Sequence, residues 1–357
     1  MKKMRPLQGH PSAPAIDPRL LDLLLKAHRP VTLDELAAIL GRSPPQVGGE
    51  IRRLEQAGCR WCAHGGTGWK LEEAGLGTWA DYLGWALGDA RRLIRVYQQT
   101  ASTQDVMRRF LEARDGRADG ALALADAQTA GRGRLGRRWV APPGTAVLLS
   151  RGCAQRGFGP PDRLALVAAV AVARAVETCV SGGERGIRNR YAEDPPGDSA
   201  MAPDPFFAQI KWPNDILIAG RKVAGILVES LDPQTAIIGV GLNVSLRPDH
   251  LPADMPELAQ RITSLSLAGC AVDRLLAATA LARELDRALA EPSLDLLLEE
   301  WRRRSILSGQ TLTVAWDGQM LRGRALDLDP LEGLILQTSS GEIVHLHAAM
   351  TTIVSAG

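Results

Sequence analysis

The apolar positions near the start of the chain follow helical spacing and are interrupted by strong helix breakers. The run Leu20–Leu25 predicts a buried helix that ends near Pro30. A second helix follows, because Thr32 stands three residues before Glu35, which is the spacing of a capping box. Gly41 then supplies a C-terminal stop for that helix.

A turn, a third helix and a hairpin complete this N-terminal pattern. Residues 42–58 predict the turn and a helix with one apolar face. Residues 59–71 predict two short strands around Gly65 and Gly66. The order helix, capped helix, turn, helix and hairpin is that of a winged helix-turn-helix domain, which we assign to residues 1–75.

The rest of the chain predicts a second and a third domain. Strands alternate with helices over residues 76–308, which form the predicted central domain. Residues 309–357 alternate apolar and polar positions, with turns at Asp317-Gly318 and Ser340-Gly341, and predict a small separate β-barrel. The central strands are predicted near residues 121–125, 147–150, 209–211, 216–218, 224–229 and 236–240, and the central helices over 78–89, 164–180, 272–290 and 294–304.

Residues 181–207 interrupt the central domain. They are rich in glycine, proline, aspartate and arginine and show no hydrophobic periodicity. A loop of this length inside a domain is either a lid or an insertion. We expect a mobile insertion here.

Composition and charge narrow the class of protein. The chain has 42 Lys and Arg against 40 Asp and Glu, which argues against a wholly basic nucleic-acid coat but leaves room for a local basic site. The five cysteines are scattered, so we expect no disulfide framework and a reducing, cytoplasmic location. No apolar run approaches the roughly 20 residues of a membrane span, so no membrane association is expected.

The most informative segment is rich in glycine and arginine. Gly131, Gly133 and Gly136 match the dinucleotide-binding pattern G-x-G-x-x-G. That pattern requires a helix to open at the last glycine, and Pro142 and Pro143 forbid a helix of useful length. The dinucleotide interpretation is therefore rejected.

What remains is a basic loop suited to an anion. Glycines let backbone N–H groups approach a phosphate closely, and arginines give its oxygens bidentate hydrogen bonds. The alternative is a solvated basic loop, but the flanking Gln128 and Trp139 favour an anion site. The loop carries Arg132, Arg134, Arg137 and Arg138.

A second motif, Lys211-Trp-Pro-Asn-Asp215, places a lysine at the end of a strand and before a turn. Such a lysine can hold a carboxylate or a phosphate as a point charge. The alternative is an ordinary surface lysine, although the pentapeptide is too unusual for that interpretation to suffice.

Together these motifs resemble the biotin protein ligases, of the type whose N-terminal winged helix doubles as a biotin-operon repressor. Lipoate ligases share the fold, but we do not expect them to combine this arginine loop with Lys-Trp-Pro-Asn-Asp. The resemblance implies an α+β fold: the winged helix-turn-helix, a class II synthetase-like mixed sheet with helices, and an SH3-like barrel. It spans nearly the whole chain and rests on Ser102-Thr103, Gln128, Gly131–Gly136, Trp139, Lys211–Asp215, Arg221–Glu229 and Gly239–Asn243.

The resemblance also implies a reaction and its partners. Biotin's carboxylate attacks the α-phosphate of ATP to give biotinyl-AMP and pyrophosphate, with Mg²⁺ escorting the ATP. A lysine of the biotin carboxyl carrier protein of acetyl-CoA carboxylase then attacks the mixed anhydride. No permanently bound cofactor and no protein-held metal are expected, and a homodimer can form on adenylate binding.

The residues that match the family motifs take roles by the same resemblance. Catalysis then rests on positioning two anions and compensating their charge, without an enzyme nucleophile. The catalytic residues are Arg132, Arg134 and Lys211. The biotin site comprises Ser102, Thr103, Gln104, Gln128, Gly131, Arg132, Gly133, Arg134, Lys211, Gly239 and Gly241. The ATP and adenylate site comprises Arg132, Arg134, Trp139, Lys211 and Asn243.

The chain departs from the family pattern at two places. Gln104 stands where the family usually has asparagine, which can alter a hydrogen bond in the biotin pocket. The 181–207 insertion stands where the family usually has a short turn. Neither departure removes a charged catalytic group.

DNA binding by the winged helix is the second function that the sequence raises. Arg42, Arg52 and Arg53 are the candidate DNA contacts. Gly48 and Gly49, however, occupy the exposed centre of the third helix, where base-reading side chains are expected. Three interpretations stay open: a ligase that represses transcription, a ligase with a vestigial DNA-binding domain that braces it, and a biotin-sensing regulator without ligase activity.

A zinc site in the hairpin is a weaker alternative. Cys59 and Cys62 have metal-ligand spacing, and His64 is nearby. A structural zinc site needs four ligands, usually from two such pairs, and this segment has one pair. We therefore predict no metal here.

Overall fold

The computed structural model describes residues 16–63, 68–113, 118–153, 161–181 and 207–356. They form an α+β fold with a central mixed sheet. Apart from its end residues Ser181 and Phe207, the predicted insertion lies outside the described residues. Gly65, Gly66 and His64 of the predicted hairpin also lie outside them.

The N-terminal elements follow the sequence closely. Thr32 caps its helix as predicted: its hydroxyl accepts from the Glu35 amide at 3.2 Å, and the Glu35 carboxylate accepts from the Thr32 amide at 2.8 Å. Gly41 ends the helix in the left-handed region at φ 64°. The elements are α1 (Pro18–Leu25), α2 (Leu33–Leu40), α3 (Pro44–Gln56), β1 (Arg60–Ala63) and β2 (Lys70–Glu73).

The central sheet has seven strands in the order β3-β4-β5-β9-β8-β7-β6, with β3 and β4 parallel and every other neighbouring pair antiparallel. The strands are β3 (Ile94–Thr100), β4 (Leu122–Gln128), β5 (Ala146–Cys153), β6 (Gln209–Lys211), β7 (Asp215–Ile218), β8 (Arg221–Asp232) and β9 (Thr235–Asn243). The helices are α4 (Trp79–Ala86), α5 (Thr103–Glu112), α6 (Pro161–Val180), α7 (Pro256–Arg261), α8 (Arg274–Leu289) and α9 (Leu294–Arg304).

Successive side chains of β4 point to opposite faces of the sheet and belong to two separate hydrophobic cores. Leu122 and Leu124 belong to the large core that α6 and α8 cover. Ala123 and Ala125 belong to the smaller core of α5 on the other face. The sheet is therefore covered on both faces, and its polar residues can reach solvent only at its edges and at the ends of its strands.

The N-terminal unit is tied to the sheet by buried ionic contacts. Arg274, at the start of α8, bonds Glu73 at the end of β2 and Asp126 on β4, each at 2.5 Å. The Asp273 carboxylate caps α8 and also accepts from the Ala74 amide at 2.9 Å. The hairpin and the central sheet therefore share one polar junction.

The C-terminal strands form a five-stranded antiparallel sheet in the order β13-β12-β11-β10-β14. In the described part of the chain β13 and β14 are its two edges, so these strands do not make the closed barrel that the alternation predicted. The strands are β10 (Thr311–Trp316), β11 (Gln319–Asp329), β12 (Gly333–Thr338), β13 (Ile343–Leu346) and β14 (Thr351–Ala356).

Among the described helices, none is both long enough and apolar enough to cross a membrane.

Candidate active site

One pocket opens on the central sheet, beside the start of α5 and the glycine-arginine segment. We call residues 131–139 the Gly-Arg loop. The pocket has an empty volume of about 460 Å³, which includes open solvent at its mouth. It is lined by Ser102, Thr103, Gln104, Gln128, Arg132, Gly133, Trp139, Leu148, Leu149, Ser150, Asn214, Lys222, Gly225, Ile226, Leu227, Gly239, Val240 and Gly241.

Three glycines shape the floor of this pocket. A Cβ atom on Gly241 would collide with the indole of Trp139, and one on Gly225 would lie 2.7 Å from the same ring. A Cβ on Gly239 would lie 2.9 Å from the side chain of Gln104. These distances are below ordinary van der Waals contact, so the glycines admit the two side chains onto the surface of the sheet.

A hydrogen-bonded group of hydroxyls and amides fixes one end of the pocket. The Gln128 carbonyl oxygen accepts from the Thr103 amide at 2.7 Å and from the Thr103 hydroxyl at 3.1 Å. The Ser150 hydroxyl donates to the Thr103 hydroxyl at 2.8 Å. Because its oxygen is held by Thr103, Gln128 can offer its NH₂ group to a ligand.

Gln104 adds a buried acceptor to this end. Its side-chain nitrogen donates to Glu229 at 3.0 Å and to the Leu227 carbonyl at 3.3 Å. Its side-chain oxygen is buried and has no hydrogen-bond partner among the described residues. An unsatisfied buried acceptor is costly, so the pocket favours a ligand that brings an N–H or O–H donor to this point.

Besides Arg132, the pocket wall carries a second cation, Lys222, which the sequence motifs did not single out. Its ammonium lies 2.5 Å from an Asp215 carboxylate oxygen and 5.3 Å from the centroid of the Trp139 ring. Register explains the position, because β7 pairs with β8 so that Lys222 lies opposite Leu217, two residues along the strand from Asp215. The sequence offered one clue to Lys222: it lies in the family motif Arg221–Glu229, which also contains the pocket glycine Gly225.

The structure does not bring Lys211 into the pocket lining. Lys211 is half-buried on β6, the outermost strand of the sheet, and pairs across the strand with Asp215. Its catalytic role therefore stays a prediction, and its immediate neighbour Asp215 is held by the other lysine.

The two catalytic arginines predicted from the Gly-Arg loop differ in their partners. Arg132 lines the pocket and bonds both carboxylate oxygens of Asp105, at 2.6 and 3.1 Å. These hydrogen bonds lower the pKa of Asp105. Arg134 is outside the lining and donates to the Thr351 carbonyl at 2.9 Å. Burial lowers the pKa of Arg134 to about 10, because desolvation disfavours its charged form.

Two further predicted site residues also lie outside the pocket lining. Gly131 accepts from the Trp139 amide at 3.0 Å and so closes the base of the Gly-Arg loop. Asn243 is buried and donates to the Thr263 carbonyl at 2.9 Å. Contacts of Asn243 with adenine and of Gly131 with biotin stay predictions.

The acidic side chains beside the pocket already have cationic partners. Arg132 binds Asp105 and Lys222 binds Asp215. In the ranges that the structure describes, no three His, Cys, Asp or Glu side chains are grouped to hold a metal ion. Mg²⁺ usually binds through one or two carboxylates and substrate phosphates, so an ion that accompanied ATP would not need a cluster of protein ligands.

Two of the three arginines predicted to contact DNA form ion pairs with acidic side chains of the same N-terminal unit. Arg42 lies 2.7 Å from Asp17, and Arg53 lies 2.6 Å from Glu50. Arg52 is exposed on α3. Intramolecular ion pairs at two of these three arginines reduce the positive charge that this surface can offer to phosphates.

Comparison with known proteins identifies the family. Residues 96–243, which include every residue that lines the pocket, match the model of the biotin/lipoate A/B protein ligase family. A biotin--[acetyl-CoA-carboxylase] ligase of Mycobacterium tuberculosis is 33% identical in an alignment of 277 residues that covers 72% of this chain and 91% of that protein.

The chain belongs to the biotin protein ligase family.

Two bifunctional ligase/repressor BirA proteins are also similar to this biotin protein ligase. The one from Bacillus subtilis is 30% identical over 62% of this chain, and the match spans 63% of its own length. The one from Escherichia coli is 26% identical over 85% of this chain and 87% of its own length. The biotin protein ligase from Aquifex aeolicus, solved in complex with biotin and ATP, has a TM-score of 0.56 at 23% identity and covers 73% of this chain and 98% of its own. It shares the fold of this chain.

Proposed function

We propose that this ligase joins biotin to ATP, giving biotinyl-AMP and pyrophosphate, and then transfers biotin to a lysine of the biotin carboxyl carrier protein of acetyl-CoA carboxylase. The proposal rests on the positions of two kinds of polar group in the pocket. Its one end presents a buried, unpartnered acceptor on Gln104, and its wall carries the ammonium of Lys222.

The head of the pocket suits a cyclic urea. A urea brings N–H donors and a carbonyl acceptor, which match the oxygen of Gln104 and the NH₂ group of Gln128. The dithiolane head of lipoate has no N–H group and would leave the Gln104 oxygen unsatisfied. This complementarity favours biotin over lipoate within the biotin/lipoate ligase family.

The other part of the pocket suits a carboxylate. Gly239, beside Gln104, and Gly241, beside Trp139, are two residues apart on β9, which separates them by about 7 Å along the strand. Lys222 lies against Trp139, so a ligand with its urea at Gln104 extends its carboxylate toward the ammonium. We therefore assign Lys222, in addition to the predicted Lys211, as a cation for this carboxylate.

The chemistry follows from bringing two anions together. A biotin carboxylate oxygen attacks the α-phosphorus of ATP, the bond to the β,γ-phosphates breaks, and pyrophosphate leaves. Lys222 and Arg132 reduce the repulsion between carboxylate and phosphate at the moment of attack. Mg²⁺ bound to the phosphates supplies further neutralisation. In the second step the carrier lysine amine attacks the acyl carbon, AMP leaves, and the amine proton passes to solvent.

The test is biotin-dependent release of pyrophosphate by the purified full chain. With Mg²⁺ and ATP, biotin should start release and lipoate should not. Equal release with lipoate would overturn the assignment of the head pocket. No release with biotin, in protein shown to be folded by circular dichroism, would overturn the enzyme function.

A second function, repression of biotin operon transcription, is favoured by a specific arrangement. Three helices and a two-stranded hairpin precede the central sheet, and we infer that they are the predicted winged helix-turn-helix. The bifunctional relative from Escherichia coli matches over 85% of this chain. The exposed Arg52 is then the side chain with most freedom to contact DNA.

Operator binding is tested by a mobility shift with DNA from a biotin-synthesis promoter, with and without biotinyl-AMP. A repressor should bind more tightly with the adenylate and lose affinity as salt rises. If the protein binds the promoter DNA no more tightly than unrelated DNA of the same length, the N-terminal unit would have only a structural role in supporting the ligase.

The remaining parts of the proposal concern organisation. We propose domains at residues 1–75, 76–308 and 309–357, the last of which contains the five-stranded C-terminal sheet. We also propose a cytoplasmic location and a homodimer that forms when the adenylate binds.

A further inference from the structure

The C-terminal sheet contacts the tip of the Gly-Arg loop. The tip is the short turn of residues 134–136, and Arg134 donates from its guanidinium to the Thr351 carbonyl at the start of β14. The distance from the guanidinium nitrogen to the carbonyl oxygen is 2.9 Å. A residue predicted to neutralise the adenylate phosphate is therefore attached to a separate part of the fold.

The backbone hydrogen bonds within the Gly-Arg loop join its residues to one another and do not tie its tip to the rest of the fold. Its base is closed by bonds from the Trp139 amide to the Gly131 carbonyl at 3.0 Å and from the Gly133 amide to the Arg137 carbonyl at 2.7 Å. At the tip beyond these two bonds, the Arg137 amide donates to the Arg134 carbonyl at 3.1 Å, and Leu135 adopts φ 54°, in the left-handed region that side chains disfavour. A strained backbone persists only when its surroundings hold it.

The carbonyl that holds Arg134 is itself held in place. The Thr351 hydroxyl donates to the His347 carbonyl at 2.8 Å, which closes the turn before β14. Asp162, in the first turn of α6, binds this turn twice: one oxygen lies 3.0 Å from His347 Nδ1, and the other accepts from the Ala348 amide at 2.9 Å. The Asp162 side chain is only 8% exposed.

The charge of Arg134 remains available for a ligand in this arrangement. In the described part of the chain no carboxylate pairs with Arg134, and its partner is a neutral carbonyl. Arg132, in contrast, is ion-paired with Asp105. A phosphate approaching the loop therefore finds an uncompensated, partly desolvated guanidinium at the tip.

We propose that Asp162 and His347 are positioning residues for Arg134. They fix the turn that presents the Thr351 carbonyl, and this carbonyl holds the loop tip where Arg134 retains the adenylate. The proposal rests on the proposed function, because it concerns the same adenylate site.

The test compares His347→Leu with His345→Leu in the full-length chain. His345 lies on the same C-terminal sheet and 2.7 Å from Glu332, so the control also loses a histidine–carboxylate contact, but one that does not reach the loop. The first readout is hydrogen exchange of the 131–139 peptide without any ligand. Loss of one hydrogen bond should speed this exchange about 3- to 10-fold in His347→Leu and leave it unchanged in His345→Leu.

The second readout is escape of preformed biotinyl-AMP in a single turnover. His347→Leu should release the adenylate about 3- to 10-fold faster than wild type. His347→Gln should restore retention, because glutamine can still donate to Asp162. In an Arg134→Ala background, His347→Leu should no longer speed the release. Unchanged loop exchange in His347→Leu would overturn the proposal whatever the activity. Faster loop exchange in His347→Leu, combined with a wild-type chain that never forms adenylate, would instead leave the positioning intact and overturn the proposed function.

Discussion

The ammonium of Lys222 lies 2.5 Å from a carboxylate oxygen of Asp215. This pair joins the start of β8 to the start of β7 at the wall of the pocket, and the Trp139 ring covers the lysine from one side. The carboxylate holds the ammonium in place before a substrate arrives. The pair therefore defines where the carboxylate of a bound biotin can be neutralised.

The first prediction concerns which lysine serves the reaction. Lys222→Gln should lower kcat/KM for biotin-dependent pyrophosphate release about 100-fold, the usual loss for one preorganised charge donor. Lys26→Gln, an exposed change directly after α1, is the control and should keep wild-type rates. A larger loss in Lys211→Gln than in Lys222→Gln would support the sequence prediction and contradict the site described above.

The second prediction tests the partner of Lys222. Asp215→Asn removes the charge that orients the ammonium, so kcat for adenylate formation should fall about 3- to 10-fold, less than in Lys222→Gln. Because both changes act on one interaction, the double variant should be no slower than Lys222→Gln alone. Additive losses in this double-mutant cycle would show that Asp215 acts independently of the lysine.

The third prediction concerns the buried amide at the head of the pocket. Gln104→Met keeps the length of the side chain but removes the acceptor offered to the urea. Biotin affinity measured by calorimetry should fall by about 1–3 kcal/mol. Gln99→Met, an exposed change on β3, is the matched control. Wild-type affinity in Gln104→Met would mean that the unpartnered oxygen does not contact biotin.

The fourth prediction concerns stability at acid pH. Glu300 on α9 is buried, which opposes its charged form, but hydrogen bonds and Coulomb attraction from Arg174 and Arg304 prevail and lower its pKa below the ordinary 4.5. A lowered folded-state pKa contributes stability that is fully present above about pH 4.5 and is lost as pH falls through the folded pKa. Urea unfolding midpoints of the wild type should fall between pH 5 and about pH 3.

Glu300→Gln provides the comparison. It should be less stable than the wild type at neutral pH, because Arg304 keeps Glu177 at 2.6 Å but loses its second carboxylate. The variant should also lose less stability on acidification. An acid dependence as steep as that of the wild type would show that Glu300 is not the titrating group.

Much of the fold could be predicted because its signals are local. The capping box of Thr32 and Glu35 and the stop at Gly41 involve residues within one turn of each other, and the structure confirms them. The structure also confirms that no helix directly follows Gly136. This signal is local too, because a proline prevents helix formation through its own backbone geometry.

The site was predicted only in part, because its contacts depend on strand register. Ser102, Thr103, Gln104 and Gln128 line one pocket, and their contacts with biotin stay predictions. Lys222 was missed because its position depends on pairing between β7 and β8, which the pattern along one strand does not encode. Barrel closure likewise depends on whether two distant edge strands meet, which alternation cannot determine.

The most direct test of the central claim is the mass of a carrier protein's target lysine after incubation with the purified chain, biotin, ATP and Mg²⁺. The account predicts that one lysine gains a biotinyl group through an amide bond, that AMP and pyrophosphate form in equal amounts, and that Lys222→Gln abolishes most of the product. An unmodified lysine in the presence of folded wild-type protein and an accepted carrier would contradict it.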